Sequence, residues 1–169
     1  MDPGPEPGRR QPLAMMLRRL HAGMLRVEIE ANDFTAAALH VQWLTAANRD
    51  LTSATREARR GQANDEALSA LVLARLGRVD EARPLAAEAL AFERELHGLG
   101  SDDQMHKVNL ALALVASAWL DPAQATALLG EARAALDSLP AEARATNGAV
   151  DRRTDQPGGS PRALSFAAG

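Results

Sequence analysis

The sequence predicts an all-α fold, an antiparallel helix-hairpin array with disordered ends. Three observations carry that expectation. Apolar residues make up 46% of the chain, yet aromatics are only 3% and tyrosine is absent, so the core must be built mainly from Ala, Leu, Val and Met. Alanine is the strongest helix former, and small side chains let helices pack closely. Apolar residues recur at steps of three and four, the period of one helix face. Three similar bends, at residues 33–37, 78–82 and 120–125, divide the chain at nearly even spacing.

A chain of 169 residues suits one domain with tails. A formal net charge of −3 is too small to draw nucleic acid or a membrane by bulk electrostatics. No helix reads as strongly basic along one face, as a nucleic-acid reader requires. The absence of cysteine excludes disulfides and thiolate metal sites, and suits a reducing compartment. The run Leu13-Ala14-Met15-Met16-Leu17 is broken at once by Arg18 and Arg19. It is too short for a secretory segment or for the about 20 apolar residues of a membrane span. A cytoplasmic location is the expectation.

Residues 1–12 hold four prolines and two glycines and are expected to form a disordered leader. The folded domain then spans residues 13–145. Its first helix is expected over residues 13–31, with Leu13, Met16, Leu17, Leu20, Met24, Val27 and Ala31 turned inward. Asn32 or Asp33 caps the second helix. That helix turns Phe34, Ala37, Ala38, Val41 and Leu44 inward and ends near Asp50 or runs on to Arg59. Residues 59–64 read as a loop, with Gly61 a helix stop. The third helix starts near Asp65 and lines its inner face with Leu68, Leu71, Val72 and Leu76.

Gly77 closes the third helix, Asp80 caps the fourth, and Pro84 falls near the first turn, where a missing amide costs least. Ala82, Leu85, Ala86, Ala89 and Leu96 form the fourth helix's stripe, and Gly98 and Gly100 end it. Ser101 with Gln104 reads as a capping box for the fifth helix. Met105, Val108, Leu112, Val115 and Trp119 follow on its inward face. Asp121, Pro122 and Gln124 open the sixth, which carries Ala125, Leu128, Leu129, Ala132, Leu136 and Leu139 and stops at Pro140. Residues 146–169, rich in Gly, Pro and balanced charge, are expected to form a disordered tail.

Aligning Ala37, Ala82 and Ala125 gives spacings of 45 and 43 residues, and seven residues further on stand Leu44, Ala89 and Ala132. A fixed period of this size marks a repeat array, in which each hairpin buries its apolar face on its neighbours. Small residues at the aligned positions permit close crossings. The stretch from Leu76 to Leu90, with Leu76-Gly77, Asp80-Glu81, Ala82 and Ala89, resembles a tetratricopeptide repeat (TPR). Its longer period resembles the variant of kinesin light chains and bacterial signalling proteins.

Ala70 and Ala113 match the family's small position in the first helix. Leu73 stands where the family usually has an aromatic, and Glu66 where it has tryptophan, departures that keep a generic hairpin stack open. The resemblance covers residues 14–140 and implies a TPR-like α-solenoid of about three repeats. It further implies a right-handed superhelix with a concave groove that takes a peptide or protein.

Candidate chemistry is sparse. His21, His40, His97 and His106 belong to no His-Glu-x-x-His or di-iron pattern. Asp102, Asp103 and His106 cluster at a helix start, where capping carboxylates are ordinary. Glu93 and His97 form an i,i+4 surface pair. There is no phosphate loop and no nucleophile elbow. No catalytic, cofactor or metal residue is expected, and the chain is read as non-enzymatic. Trp119 is expected in the core, and Trp43 partly exposed against a partner or another repeat.

The family resemblance places Arg19, Arg26, Arg75 and Lys107 toward the concave side, with Asn64 nearby. Such a row of cations attracts an acidic segment or a C-terminal carboxylate; the alternative is that they are solvated helix faces. The expected function is a protein–protein interaction scaffold that binds a peptide or protein segment. Self-association is a further expectation, because the sixth helix lacks a capping helix over its outer apolar residues. The rival readings are a regulatory or truncated portion of a bacterial signalling protein, whose Ser/Thr kinases carry similar repeats, and a structural self-associating bundle. Neither nucleic acid nor membrane is an expected partner.

Overall fold

The computed structural model describes residues 7–50, 55–100 and 103–141. Among them are six α-helices and no strand: α1 (Pro7–Glu30), α2 (Phe34–Asp50), α3 (Arg56–Arg75), α4 (Val79–Gly98), α5 (Gln104–Leu120) and α6 (Ala125–Asp137). Consecutive helices pair as α1 on α2, α3 on α4 and α5 on α6, with α2 also against α3 and α4 against α5. Next-but-one contact is substantial only where α3 lies on α5. This neighbour-to-neighbour packing is consistent with a helical repeat array.

Local chemistry sets the helix ends. Asn32 takes φ 61°, and Gly77 φ 75°, each just past a helix C-terminus. At both bends the two following amides return to the last turn: Asp33 N–H to Glu28 O at 2.9 Å, and Arg78 N–H to Leu73 O at 2.8 Å. These are Schellman closures, which need a residue able to adopt the left-handed region. Asp33 then caps α2 by accepting from Ala36 N–H at 2.9 Å. Asp121 accepts from Ala123 N–H at 3.1 Å, while the Gln124 amide donates to its other oxygen at 2.8 Å.

Several boundaries differ from the sequence expectation. α1 opens at Pro7, within the stretch expected as leader, with proline at the first helical position, where its missing amide costs little. Residues 1–6 and the expected tail lie outside the described residues. Ser101 also lies outside them; the cap of α5 is Asp103, which accepts from His106 N–H at 2.8 Å. Asp80 sits inside the first turn of α4, whose N-cap is Arg78.

The largest correction is at Gly61. Residues 59–64 are not a loop. α3 starts nine residues earlier than expected, capped by Thr55, and runs unbroken through Gly61. The glycine serves a neighbour. A Cβ there would stand 3.0 Å from Nη2 of Arg18, which crosses from α1. Arg18 reaches Oδ2 of Asp65 at 2.7 Å, one turn further along α3, and its Nε donates to Asn48 Oδ1 at 3.1 Å. Both members of the ion pair are buried.

The aligned small residues behave as the packing argument requires for the first two hairpins. Ala37, Ala70, Ala82, Ala89 and Ala113 have no exposed surface. Ala132 is buried and Ala125 half-buried. The inward face of α1 differs from the sequence expectation. Its buried stripe is Arg18, Leu25 and Ile29, whereas Met16, Leu20, Met24 and Val27 face outward. α5 has no single inner stripe: most of its residues from His106 to Leu120 are buried, while Met105 is exposed and Trp119 half-buried. On α6, Leu128, Ala132 and the following Leu139 are buried, and Leu129 is exposed.

A double-mutant cycle tests the Arg18–Asp65 tie. Removing Arg18 alone strands a buried carboxylate, so Arg18→Met should cost roughly 3 kcal/mol in urea unfolding at pH 7. Asp65→Leu in the same chain should return most of that loss, because two apolar residues replace the pair. Additive single effects would rule out the coupling.

Candidate binding groove and the buried carboxylates

An open groove of about 630 Å³ lies between α2 and α4, with α3 as its floor. One helix face from each element lines it. From α3 come Gln62, Glu66, Ser69 and Leu73, at steps of four, three and four. From α4 come Glu81, Leu85 and Glu88, with Pro84 and Arg78 at one end. From α2 come Val41, Gln42, Thr45, Ala46 and Asn48. Helical periodicity explains why residues this far apart share a wall.

The floor is polar although α3 is largely buried. Glu66 accepts from Arg59 Nη1 at 2.8 Å and from the Gln62 amide at 2.8 Å. Burial nonetheless pushes its carboxyl up, against the pull of Arg59 and with a small further push from Glu88. The Arg59 guanidinium also lies 5.1 Å from the Phe92 ring centroid, which holds it against α4. On the groove's rim Arg78 grips Glu81 with two bonds of 2.7 Å. Three carboxylates and one guanidinium thus line the groove, together with apolar surface from Val41, Leu73 and Leu85. The side-chain amides and hydroxyls of Gln42, Thr45, Asn48, Gln62 and Ser69 supply both donors and acceptors.

Two further carboxylates are buried at helix boundaries. Asp65, between α1 and α3, is pushed up to about 6 by burial, which outweighs Arg18. Glu93 on α4 meets His106 Nδ1 on α5 at 2.8 Å with both side chains buried, and burial raises the Glu93 carboxyl. The His97 ring stacks on His106, centroids 5.8 Å apart.

The five residues expected to form a cation-lined groove do not line this one. Arg19 and Arg26 are exposed on α1, and Asn64 is half-buried on α3. The Arg75 guanidinium is 5.0 Å from the Phe34 ring and 5.0 Å from the Trp119 ring. Lys107 on α5 reaches Ser138 O at 3.4 Å. Sequence reading missed Glu66, Ser69 and Glu88. The available signal was the polar series Gln62, Glu66, Ser69 within a helix otherwise filled with Ala and Leu.

His21 and His40 form a second polar cluster, joining α1 to α2. Their Nδ1 atoms are 2.9 Å apart, so one ring donates and the other accepts, and His21 stacks on Trp43 at 4.1 Å. Burial, then the neighbouring His40, lowers the His21 pKa. Among the described residues no group of three or more His, Cys, Asp or Glu is placed to hold a metal ion. Nor is any helix among them long and apolar enough to cross a membrane.

No protein-family profile, curated protein or solved structure matches this chain.

The raised carboxyls carry a sign. A group whose folded pKa exceeds its unfolded value contributes stability that is full below the unfolded value and lost as pH rises through the folded one. For Asp65 the window runs from 3.8 to about 6. Thermal melts between those limits should therefore show the wild type gaining on Asp65→Asn as pH falls, by roughly 2–3 kcal/mol over the window. An equal pH slope in both proteins would refute burial as the dominant effect. For the histidine pair, NMR titration should find His21 below the ordinary histidine value. His40→Leu should move it back up, since the charge that opposes its protonation is gone.

Proposed function

We propose that the chain is a non-enzymatic interaction module that binds an extended, positively charged peptide segment in the α2–α3–α4 groove. The groove itself supports this reading most directly: an open trough with the exposed carboxylates Glu81 and Glu88 along its α4 wall and a buried one, Glu66, in its floor. An extended peptide brings unpaired backbone donors and acceptors. The amide and hydroxyl side chains along the walls are suited to meet them, and Val41 and Leu85 give apolar surface for alternate side chains. The three carboxylates favour Lys or Arg in the ligand and speed its encounter. This replaces the expected acidic ligand with one of opposite sign, because the groove is lined by α4 and the polar face of α3.

The likeness of Leu76-Gly77, Asp80-Glu81, Ala82 and Ala89 to a tetratricopeptide repeat is a second support, since arrays of that kind present grooves to peptides. The α2–α4 groove, however, is lined by the second helices of successive hairpins, so it is a separate surface from the concave side that likeness implies.

Panning a random peptide library on the full chain tests the reading. Enriched peptides should carry Lys or Arg, bind less tightly as salt rises, and lose about tenfold or more in affinity to a chain bearing Ala46→Trp and Glu88→Lys. Both substituted residues are exposed, so the fold should survive. An absence of enrichment, or equal binding to the altered chain, would overturn it.

A further inference from the structure

The floor of the groove and its α4 wall repeat in layers. α3 and α4 are joined through Gly77, and their groove-lining residues stand equally far from it along the chain. Leu73 and Glu81 are each four residues away, Ser69 and Leu85 eight, Glu66 and Glu88 eleven. A helical hairpin with so short a bend sets such pairs level. Along the trough an acidic layer, an apolar one and a second acidic layer therefore follow each other. Seven residues of helix separate Glu81 from Glu88, about 10.5 Å at the ordinary helical rise.

The layers differ in what they leave unbonded. Glu81 already takes two bonds from Arg78, the sole cation among the lining residues. Glu88 is exposed and bonds to no other described residue. Between them, Ser69 is only 2% exposed, and it lines the groove. No hydrogen bond among the described residues engages its hydroxyl. A buried hydroxyl without a partner costs free energy, so Ser69 points to a ligand that brings a polar atom to the floor.

We propose, on the reading of this groove as a peptide site, that its ligand is a polyproline-II segment with two cations three residues apart. That conformation returns to the same face every third residue, about 9.3 Å along its axis, which matches the two acidic layers. A β-strand returns every second residue, so its same-face steps are about 7 and 13 Å, and both miss. An α-helix matches at the seventh residue, but it bonds its own carbonyls and offers none to Ser69. Polyproline II leaves its backbone carbonyls free. The residues between the cations lie over Leu85, and the Ser69 hydroxyl donates to one of their carbonyls. Proline suits these positions, because it has no amide hydrogen in need of an acceptor and its φ is fixed beforehand.

Fluorescence anisotropy with the full chain tests this, using labelled peptides that hold two arginines in a proline host, one to six prolines apart. Two intervening prolines should bind best, by about threefold over one or three, the scale of one exposed ion pair. Glu88→Gln should flatten that preference. Ser69→Ala should weaken every spacing alike, by about fivefold, through the lost bond. Circular dichroism checks that both variants keep their helix content. A flat series, an optimum at six intervening residues, or binding indifferent to Glu88→Gln or to Ser69→Ala would overturn the proposal. Panning separates this outcome from the reading beneath it: enriched cationic peptides without the spacing optimum discard only the polyproline-II register, whereas no binding in either experiment discards both.

Discussion

Arg18 crosses from α1 to α3 over Gly61, and the alignment of the first hairpin on the second rests on that crossing. An alanine-built core creates the need for it. Ala37, Ala63, Ala67, Ala70 and Ala82 let helices approach closely, but uniform small side chains discriminate poorly between one register and the next. A buried guanidinium that must end 2.7 Å from Asp65 tolerates no slip along the helix. Such pairs contribute little net stability against an apolar alternative, and their best-attested use is to specify register. Gly61 belongs to the same device: the helix gives up propensity at that position so that the guanidinium can pass.

The other buried carboxylates extend the pattern. Asp65 stands between α1 and α3, Glu66 faces the trough between α2 and α4, and Glu93 joins α4 to α5 through His106. Each is raised by burial despite a basic or polar partner. The molecule thus holds, at each of these boundaries, a carboxylate whose charged form burial disfavours. At Asp65 and Glu93 the partner fixes an adjacent helix. At Glu66 the partners, Arg59 and Gln62, stand on its own helix, so the carboxylate is held in the floor of the groove without tying α3 to a neighbour.

Local signals in the sequence were read correctly where their cause is local. Asp33 and Gly77 act within a few residues of themselves, and they mark real helix ends; Asp121 ends α5 and bonds the turn that follows, but α6 starts later than expected, at Ala125, with Gln124 at its N-cap. Ala37, Ala82 and Ala89 were legible because a repeat period exposes them. Gly61 was not, because its reason lies in a side chain forty-three residues earlier, and a glycine after two arginines looks like a stop. The face of α1 was ambiguous for another reason: Met16, Leu20, Met24 and Val27 make a better apolar stripe than Leu25 and Ile29, so periodicity picked the stronger of two. The groove was the least legible feature. Its walls come from three helices, and Glu66 registered only as a departure from the tetratricopeptide pattern.

The groove's own bonds bound what charge can contribute there. Glu66 already accepts from Arg59 and Gln62, and Glu81 from Arg78. A cation on a ligand would have to compete with those partners, and ion pairs at so open a wall contribute about 0–1 kcal/mol each. Affinity must then come from apolar contact, as at Leu85, and from bonds between the ligand's backbone and the amide and hydroxyl side chains of the walls. Charge sets the rate of encounter and the choice of partner more than the strength of the complex.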